Sequence, residues 1–452
     1  MMRRSVAAAA AAAKVIRIRP ASRRQFESAA AYYGWLDRVV ATKKEVNDFE
    51  EADGKEIAPF LVGVNPFAEH RLRFRRVKGA TKGTSSFSCV DATWPISTDE
   101  LVRKDVADLQ GWSSFRLRKF YEALDALTAD GAYTHVGRDR GLALVTAGHA
   151  FSRKLGRTPE RTDLTLRSYV TSTGSSSLEV RTDAIQIVGN TEVLRNFCHT
   201  TMVAVDEKTL KPVKGAVPPL LLKSSSEDLP RQEARRELAL EHARIRKRRA
   251  KESVSLFTPK LSKPPTQSEM NAIHELHYGK RGSSRVVAVA EHTHSDAFVV
   301  FPESRNVHGK TFGGYALAQA FDLAYFAASS FVGPGKNRFA PLGLDEANFL
   351  HPVSIGDHIK VTARVVHSCV DTGVFRVSVF ITQLGGNLQR TNFLRFVFAA
   401  EPHTIDAVLP ETYEEILGHV SAARRHNEEP ISPTGRSDLD AFFSEQLQRK
   451  DN

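Results

Sequence analysis

Two stretches of this chain share one order of hydrophobic and polar positions. In each, a helix-period apolar run of about four turns precedes several strands in which apolar and polar residues alternate. The first run is FRLRKFYEALDAL from Phe115, and the second is FGGYALAQAFDLA from Phe312. The clearest strand is DHIKVTARVVH, where Ile359, Val361, Ala363 and Val365 fall on one face and Lys360, Thr362 and Arg364 on the other. One helix ahead of neighbouring antiparallel strands predicts an α+β layer, a curved sheet wrapped around a single long central helix. That helix has to be apolar on most sides, as Ala316, Leu317, Ala320, Phe321, Leu323, Ala324 and Ala327 are.

The stretches superpose at an offset of 197, which sets Phe115 on Phe312, Asp125 on Asp322, Thr165 on Thr362 and Arg167 on Arg364. At the same offset SLEVRTDAIQIV from Ser177 meets VFRVSVFITQL, and NFCHTTMVAV meets FLRFVFAA. A repeat that runs from helix to last strand reads as two copies of one domain, paired as a pseudo-dimer through their sheets. The expected domains are residues 101–222 and 266–410. An irregular lead-in precedes them over 27–100, a charged linker helix separates them over 223–265, and a helix and tail follow over 411–452.

Charge changes the picture at the N-terminus. Residues 1–26 carry seven basic side chains (Arg3, Arg4, Lys14, Arg17, Arg19, Arg23, Arg24), and no acid comes before Glu27. An Ala-rich, Arg-rich, acid-free leader reads as a mitochondrial transit peptide. Seven of the formal +11 charges lie there, which leaves +4 for the rest and makes nucleic acid an unlikely partner. The three cysteines, Cys89, Cys198 and Cys369, have no paired spacing, which argues against a disulfide framework or a structural zinc site. No apolar run approaches the roughly 20 residues of a membrane span.

The chemistry concentrates in NVHGKTFGGYALAQAFDLAYF, residues 306–326. Asp322 stands in a helix expected to be buried, where an ionised carboxylate costs several kcal/mol unless it is paired or hydrogen-bonded. Gln319, one turn earlier, is one possible partner, and catalysis is the other reason to keep an acid there. Gly313 and Gly314 open the helix, where unpaired N–H groups and the positive end of the dipole suit an oxyanion. Asn306 supplies an amide that orients a water or a carbonyl, and His308 reads as a second base or as a plain polar loop residue. Together they form a kit for hydrolysing an activated acyl group.

The run Asn-Val-His-Gly-Lys-Thr-Phe-Gly-Gly ahead of an acid-bearing helix resembles the hotdog-fold acyl-CoA thioesterases, in particular the mitochondrial branch with two tandem hotdog domains. EALDALTADGAY, SSSLEV, ANFLHPVSIGDHI, MNAIHELH and LPETYEEILGHVSAARRH agree, so the likeness covers roughly residues 85 to 426. It implies hydrolysis of acyl-CoA in the mitochondrial matrix with no cofactor and no metal, coenzyme A entering as part of the substrate. It also implies a homo-oligomer, and a site between the halves in which the loop of one faces the helix acid of the other. Asn306 and Gly313–Gly314 would then face Asp125, with His308 and Gly309 beside the substrate. Asp322 would face a first loop in which the 197 offset sets Leu109, Arg116 and Leu117 against Asn306, Gly313 and Gly314. One competent site and one degenerate site are expected, with both acids kept as catalytic candidates.

Lys310, Thr311, Arg364 and Arg376 are candidates for the coenzyme A phosphates. Two other readings stand beside hydrolysis. One is a non-catalytic hotdog protein docked on a mitochondrial assembly such as the ribosome, through the basic linker helix. The other is a hydratase, for which His308 lacks an acid at the matching spacing.

Overall fold

The computed structural model describes residues 90–448, except 107–111, 113–115, 138–141, 155–160, 190, all but four residues of 221–260, 262, 279–284, 307–309, 334–338, 386–387 and 429–432. The leader and nearly all of the linker expected to be helical lie outside the described residues, as do His308 and Gly309. Of the linker's middle, Glu237, Leu240, Glu241 and Arg244 are helical and exposed.

The first half runs β1 (Val90–Trp94), α1 (Glu100–Val106), α2 (Leu117–Val136), β2 (Leu142–Lys154), β3 (Leu164–Thr173), β4 (Ser177–Val188) and β5 (Thr191–Asp206). The second runs α3 (Gln267–His277), β6 (Val286–Ala288), β7 (Thr293–Val299), α4 (Gly313–Val332), β8 (Phe339–Phe349), β9 (His358–Cys369), β10 (Val374–Leu384), β11 (Gln389–Ala400) and β12 (Ala407–Leu409). Two helices close the chain, α5 (Tyr413–Glu428) and α6 (Pro433–Gln448). The strand order is β1-β3-β4-β5-β2-β8-β11-β10-β9-β7, so the second half retraces the first in reverse and the halves join where β2 pairs antiparallel with β8. Each of α2 and α4 packs against the five strands of its own half, and the two helices pack against each other. This is the expected α+β class with two tandem hotdog units. The alternation read in β9 holds, with Ile359, Val361, Ala363 and Val365 buried beneath α4.

Both long helices are 20 residues and end on a glycine at positive φ, Gly137 at 84° and Gly333 at 100°. A side chain is strained there, so the helices stop at matching points. Leu117 therefore aligns with Gly313 and Val136 with Val332, an offset of 196 rather than 197. The uniform offset of 197 therefore fails on the helices. One residue matters on a helix: the position equivalent to Asp125 is Phe321, and Asp322 corresponds to Ala126.

Two boundaries also move. β1, inside the stretch read as a lead-in, is the edge strand of the first half, paired with β3. The segment read as a helix and tail forms two helices, and Leu439, Phe442 and Phe443 of α6 bury against Trp112, Leu342 and Val397. α5 covers buried ion pairs rooted in the sheet. Arg376 Nε donates to Asp345 Oδ2 at 2.9 Å, and Arg376 Nη1 lies 3.3 Å from His426 Nδ1 of α5.

Candidate active site

The helices α2 and α4 meet where the N-terminus of α4 abuts the middle of α2. A Cβ on Gly314 would stand 3.0 Å from Glu122 Cα, and one on Gly313 would stand 2.8 Å from Asp125 Oδ2. The two glycines are what let the helices approach this closely. Asp125, only 4% exposed, places Oδ2 2.7 Å from the Gly314 N–H, which donates to it, while the Thr146 hydroxyl of β2 donates to Oδ1 at 2.9 Å. Charge-assisted bonds of this kind contribute about 1.5–3 kcal/mol each and offset the several kcal/mol lost on burying a carboxylate. The positive end of α4 adds to them. The Gly313 N–H makes no hydrogen bond among the described residues, and it lines the same cavity as Asp125.

The loop ahead of α4 is tied down on both sides. Asn306 N–H donates to Lys310 O at 2.6 Å, and Lys310 N–H donates to Asn306 Oδ1 at 3.0 Å. Thr311 N–H reaches Val353 O, Phe312 N–H reaches Ser304 O, and Lys310 Nζ donates to Ser354 Oγ at 3.0 Å. These bonds fix Asn306 and Gly313 on the wall of a cavity of about 390 Å³ between the halves. The first half lends it apolar lining, Ala129, Leu144, Met202, Val205 and Leu210, and the second half lends Arg305, Asn306, Lys310 and His351. Asp125, Gly313 and Thr146 line the same cavity.

The structure thus brings Asp125, Asn306, Gly313 and Gly314 together and leaves Asp322 apart. Asp322 is not buried: its side chain is 47% exposed, it lines no part of this cavity, and its partner is the Arg118 guanidinium of α2 rather than Gln319. α4 has sheet on one side and α2 on another, which leaves a solvent-facing stripe through Asp322 and Phe326. On the 196 alignment Arg118 occupies the place of Gly314 and Phe321 that of Asp125. Phe321 packs among Tyr121, Phe396 and Phe398 with ring centroids 5.6–6.4 Å apart, so aromatic side chains fill the second position. Replacing Asp322 with Asn is expected to leave catalysis within twofold and to cost at most about 1 kcal/mol in thermal or urea unfolding, the range of a half-exposed ion pair.

Two of the proposed phosphate-binding residues are also corrected. Arg376 is 1% exposed and committed to Asp345, and Arg364 lies 3.6 Å from Glu414; neither lines the cavity. Arg305, which sequence reasoning passed over, does. Thr146 and His149 were missed as well. The signal available was two polar residues inside the otherwise apolar strand LALVTAGHAF. Among the described residues no group of three His, Cys, Asp or Glu side chains is placed to hold a metal ion.

The chain is similar to known thioesterases. The family model of the Thioesterase superfamily matches residues 308–385, which contain the glycine pair, α4 and β8–β10. The mitochondrial acyl-coenzyme A thioesterase 9 of Bos taurus is 26% identical over 378 residues, 78% of this chain and 81% of the relative. The mitochondrial acyl-coenzyme A thioesterase 4 of Humulus lupulus is 26% identical over 290 residues, and the chain spans about half, 51%, of its length. Among solved structures, an acyl-CoA hydrolase from Staphylococcus aureus is 20% identical, with a TM-score of 0.29, over 37% of this chain and 99% of its own. Residues 308–385 thus carry the pattern of the Thioesterase superfamily, and the chain, with two helix-bearing halves joined through one sheet, has the fold of a tandem hotdog protein.

Proposed function

We propose that the protein hydrolyses acyl-CoA thioesters to the free acid and coenzyme A, at one site between its two halves. The observation that carries this reading is the Asp125 carboxylate of the first half seated on the Gly314 N–H of the second, beside a cavity lined by apolar residues of the first half and basic residues of the second. The acyl chain lies along Ala129, Leu144 and Met202, and the pantetheine and phosphates leave past Asn306, Lys310 and Arg305. Asp125 acts as general base. It takes a proton from a water that attacks the thioester carbon, and the oxyanion forms against the Gly313 N–H at the start of α4. Collapse of the tetrahedral intermediate breaks the C–S bond, and Asp125 returns the proton to the coenzyme A thiolate. The chain's own residues supply every group in this sequence, so no cofactor enters the proposal. The carboxylate held ready for this work also speaks against a purely architectural role.

A thiol-release screen from acetyl- to palmitoyl-CoA tests the reading, and no release from any acyl-CoA sinks it. Lys310→Ala and Arg305→Ala should each raise KM by about three- to tenfold with little change in kcat, an effect that shrinks with added salt. Relatives with mitochondrial names and the basic leader support a mitochondrial location, for which the matrix is the compartment we propose. Import of the full chain into isolated mitochondria, followed by subfractionation, checks it. Further symmetric association of tandem units belongs to the same proposal and is read by light scattering.

A further inference from the structure

His149 sits in the middle of β2, three residues after Thr146, and is 1% exposed. Residues three apart on a regular strand point to opposite faces. Here the register of β2 with β5 shifts between Thr146 and Gly148, and the bulge reverses the alternation. Both side chains consequently turn toward Asp125: Thr146 donates to Oδ1, and His149 Nε2 stands 3.5 Å from the same oxygen. Gly148, inside the bulge, is where β8 crosses closest, since a Cβ there would lie 2.5 Å from Ala347 O. The bulge and the glycine together aim the imidazole at the acid.

The other ring nitrogen is also held. His149 Nδ1 is 2.7 Å from Thr200 Oγ1, directly opposite on β5, and Phe349 packs edge-on against the ring at 5.7 Å. A hydroxyl that donates to Nδ1 leaves the ring proton on Nε2, facing Asp125. Among the described residues the buried Nε2 makes no hydrogen bond, and 3.5 Å is longer than the 2.7–2.9 Å typical of a charge-assisted bond. The titratable groups facing the ring are Asp125 from α2 and Cys198 of β5, whose Sγ lies 3.9 Å from Nδ1. Phe349 lines the cavity and His149 does not, so the imidazole acts on Asp125 and not on substrate.

We propose that His149 is a positioning residue, an Nε2–H donor oriented by Thr200 that orients the Asp125 carboxylate for proton abstraction. The inference rests on the hydrolase reading above and adds a residue to it. Loss of the donor destabilises the charged carboxylate, so the acid limb of the pH–rate profile should move to higher pH.

The test compares His149→Leu, His149→Gln and Thr200→Val with the parent protein by kcat, KM and pH profile. His149→Leu should lower kcat about 10- to 100-fold at neutral pH with KM within twofold, the scale of a mispositioned catalytic group. His149→Gln, which keeps an N–H near the Nε2 position, should recover most of that loss. Thr200→Val, which keeps the volume and removes the hydroxyl, should shift the acid limb in the same direction, so the proposal stays open to refutation if His149→Leu does not fold. A parent protein that hydrolyses acyl-CoA while folded His149→Leu, or Thr200→Val if Leu fails to fold, keeps kcat within twofold and an unmoved acid limb overturns the role of His149 alone. A parent protein inactive on every acyl-CoA overturns the hydrolase reading and this proposal with it.

Discussion

Replacing Asp125 with Asn is expected to lower kcat for acyl-CoA hydrolysis by about a thousandfold or more, within the range set by a general base. Asn keeps the shape and can still accept the Gly314 N–H bond at 2.7 Å, but it cannot take a proton. Stability should change little, because removing a buried charge offsets the loss of one acceptor: the Gly314 N–H keeps its bond to the amide oxygen, and the Thr146 hydroxyl turns to accept from the new NH2. KM should change by less than about threefold, since the acid acts on the attacking water and not on the coenzyme A body. Thiol release by the variant at more than about a tenth of the parent rate would remove Asp125 from the chemistry. The same measurement on Asp322→Asn supplies the contrast, because the two acids occupy one position under the 197 offset and unrelated positions in the structure.

Gly313→Ala is the second large effect. The added methyl would stand 2.8 Å from Asp125 Oδ2 and 3.3 Å from its Cγ, closer than real Cβ contacts come. The carboxylate has to move, and its bonds to Gly314 N–H and Thr146 are the ones that stretch. A displacement near 1 Å costs on the order of a hundredfold in rate, so kcat should drop by about that factor while the folded helix remains. Gly418→Ala, in the middle of α5, is the control. Its Cβ meets only Val366 Cγ1 at 4.0 Å, and Ala in a helix interior is favoured over Gly by about 1 kcal/mol, so that variant should be as active and slightly more stable. Equal activity of Gly313→Ala and Gly418→Ala would show that the approach of α4 to Asp125 is not needed for turnover.

Much of the architecture was legible because it rests on patterns with a fixed period. The alternation of Ile359, Val361, Ala363 and Val365, the apolar run from Gly313 to Val332 and the repeat itself gave two helix-and-sheet units without coordinates. Asn306 and Gly313–Gly314 were legible because an amide and small residues at a helix start have few uses outside ligand contact. The offset was less secure. Few identities fix the alignment of the two helices, and a slip of one residue leaves both still reading as apolar helices, so Asp322 was set on Asp125 when Phe321 belongs there.

What the sequence by itself determined is therefore local and periodic: which segments are helix and strand, that they occur twice, and where acid, amide and glycines lie along the chain. What only the tertiary structure decided is which groups meet. Asp125 and Gly314 are 189 residues apart and touch because two helices pack across a pseudo-twofold. Asp322 is exposed because α4 has neighbours on only some of its sides. Thr146 and His149 face one carboxylate because a bulge reversed a strand's alternation. Each outcome depends on packing between elements distant in sequence, and a change of one residue in register turns a side chain from one face to the other.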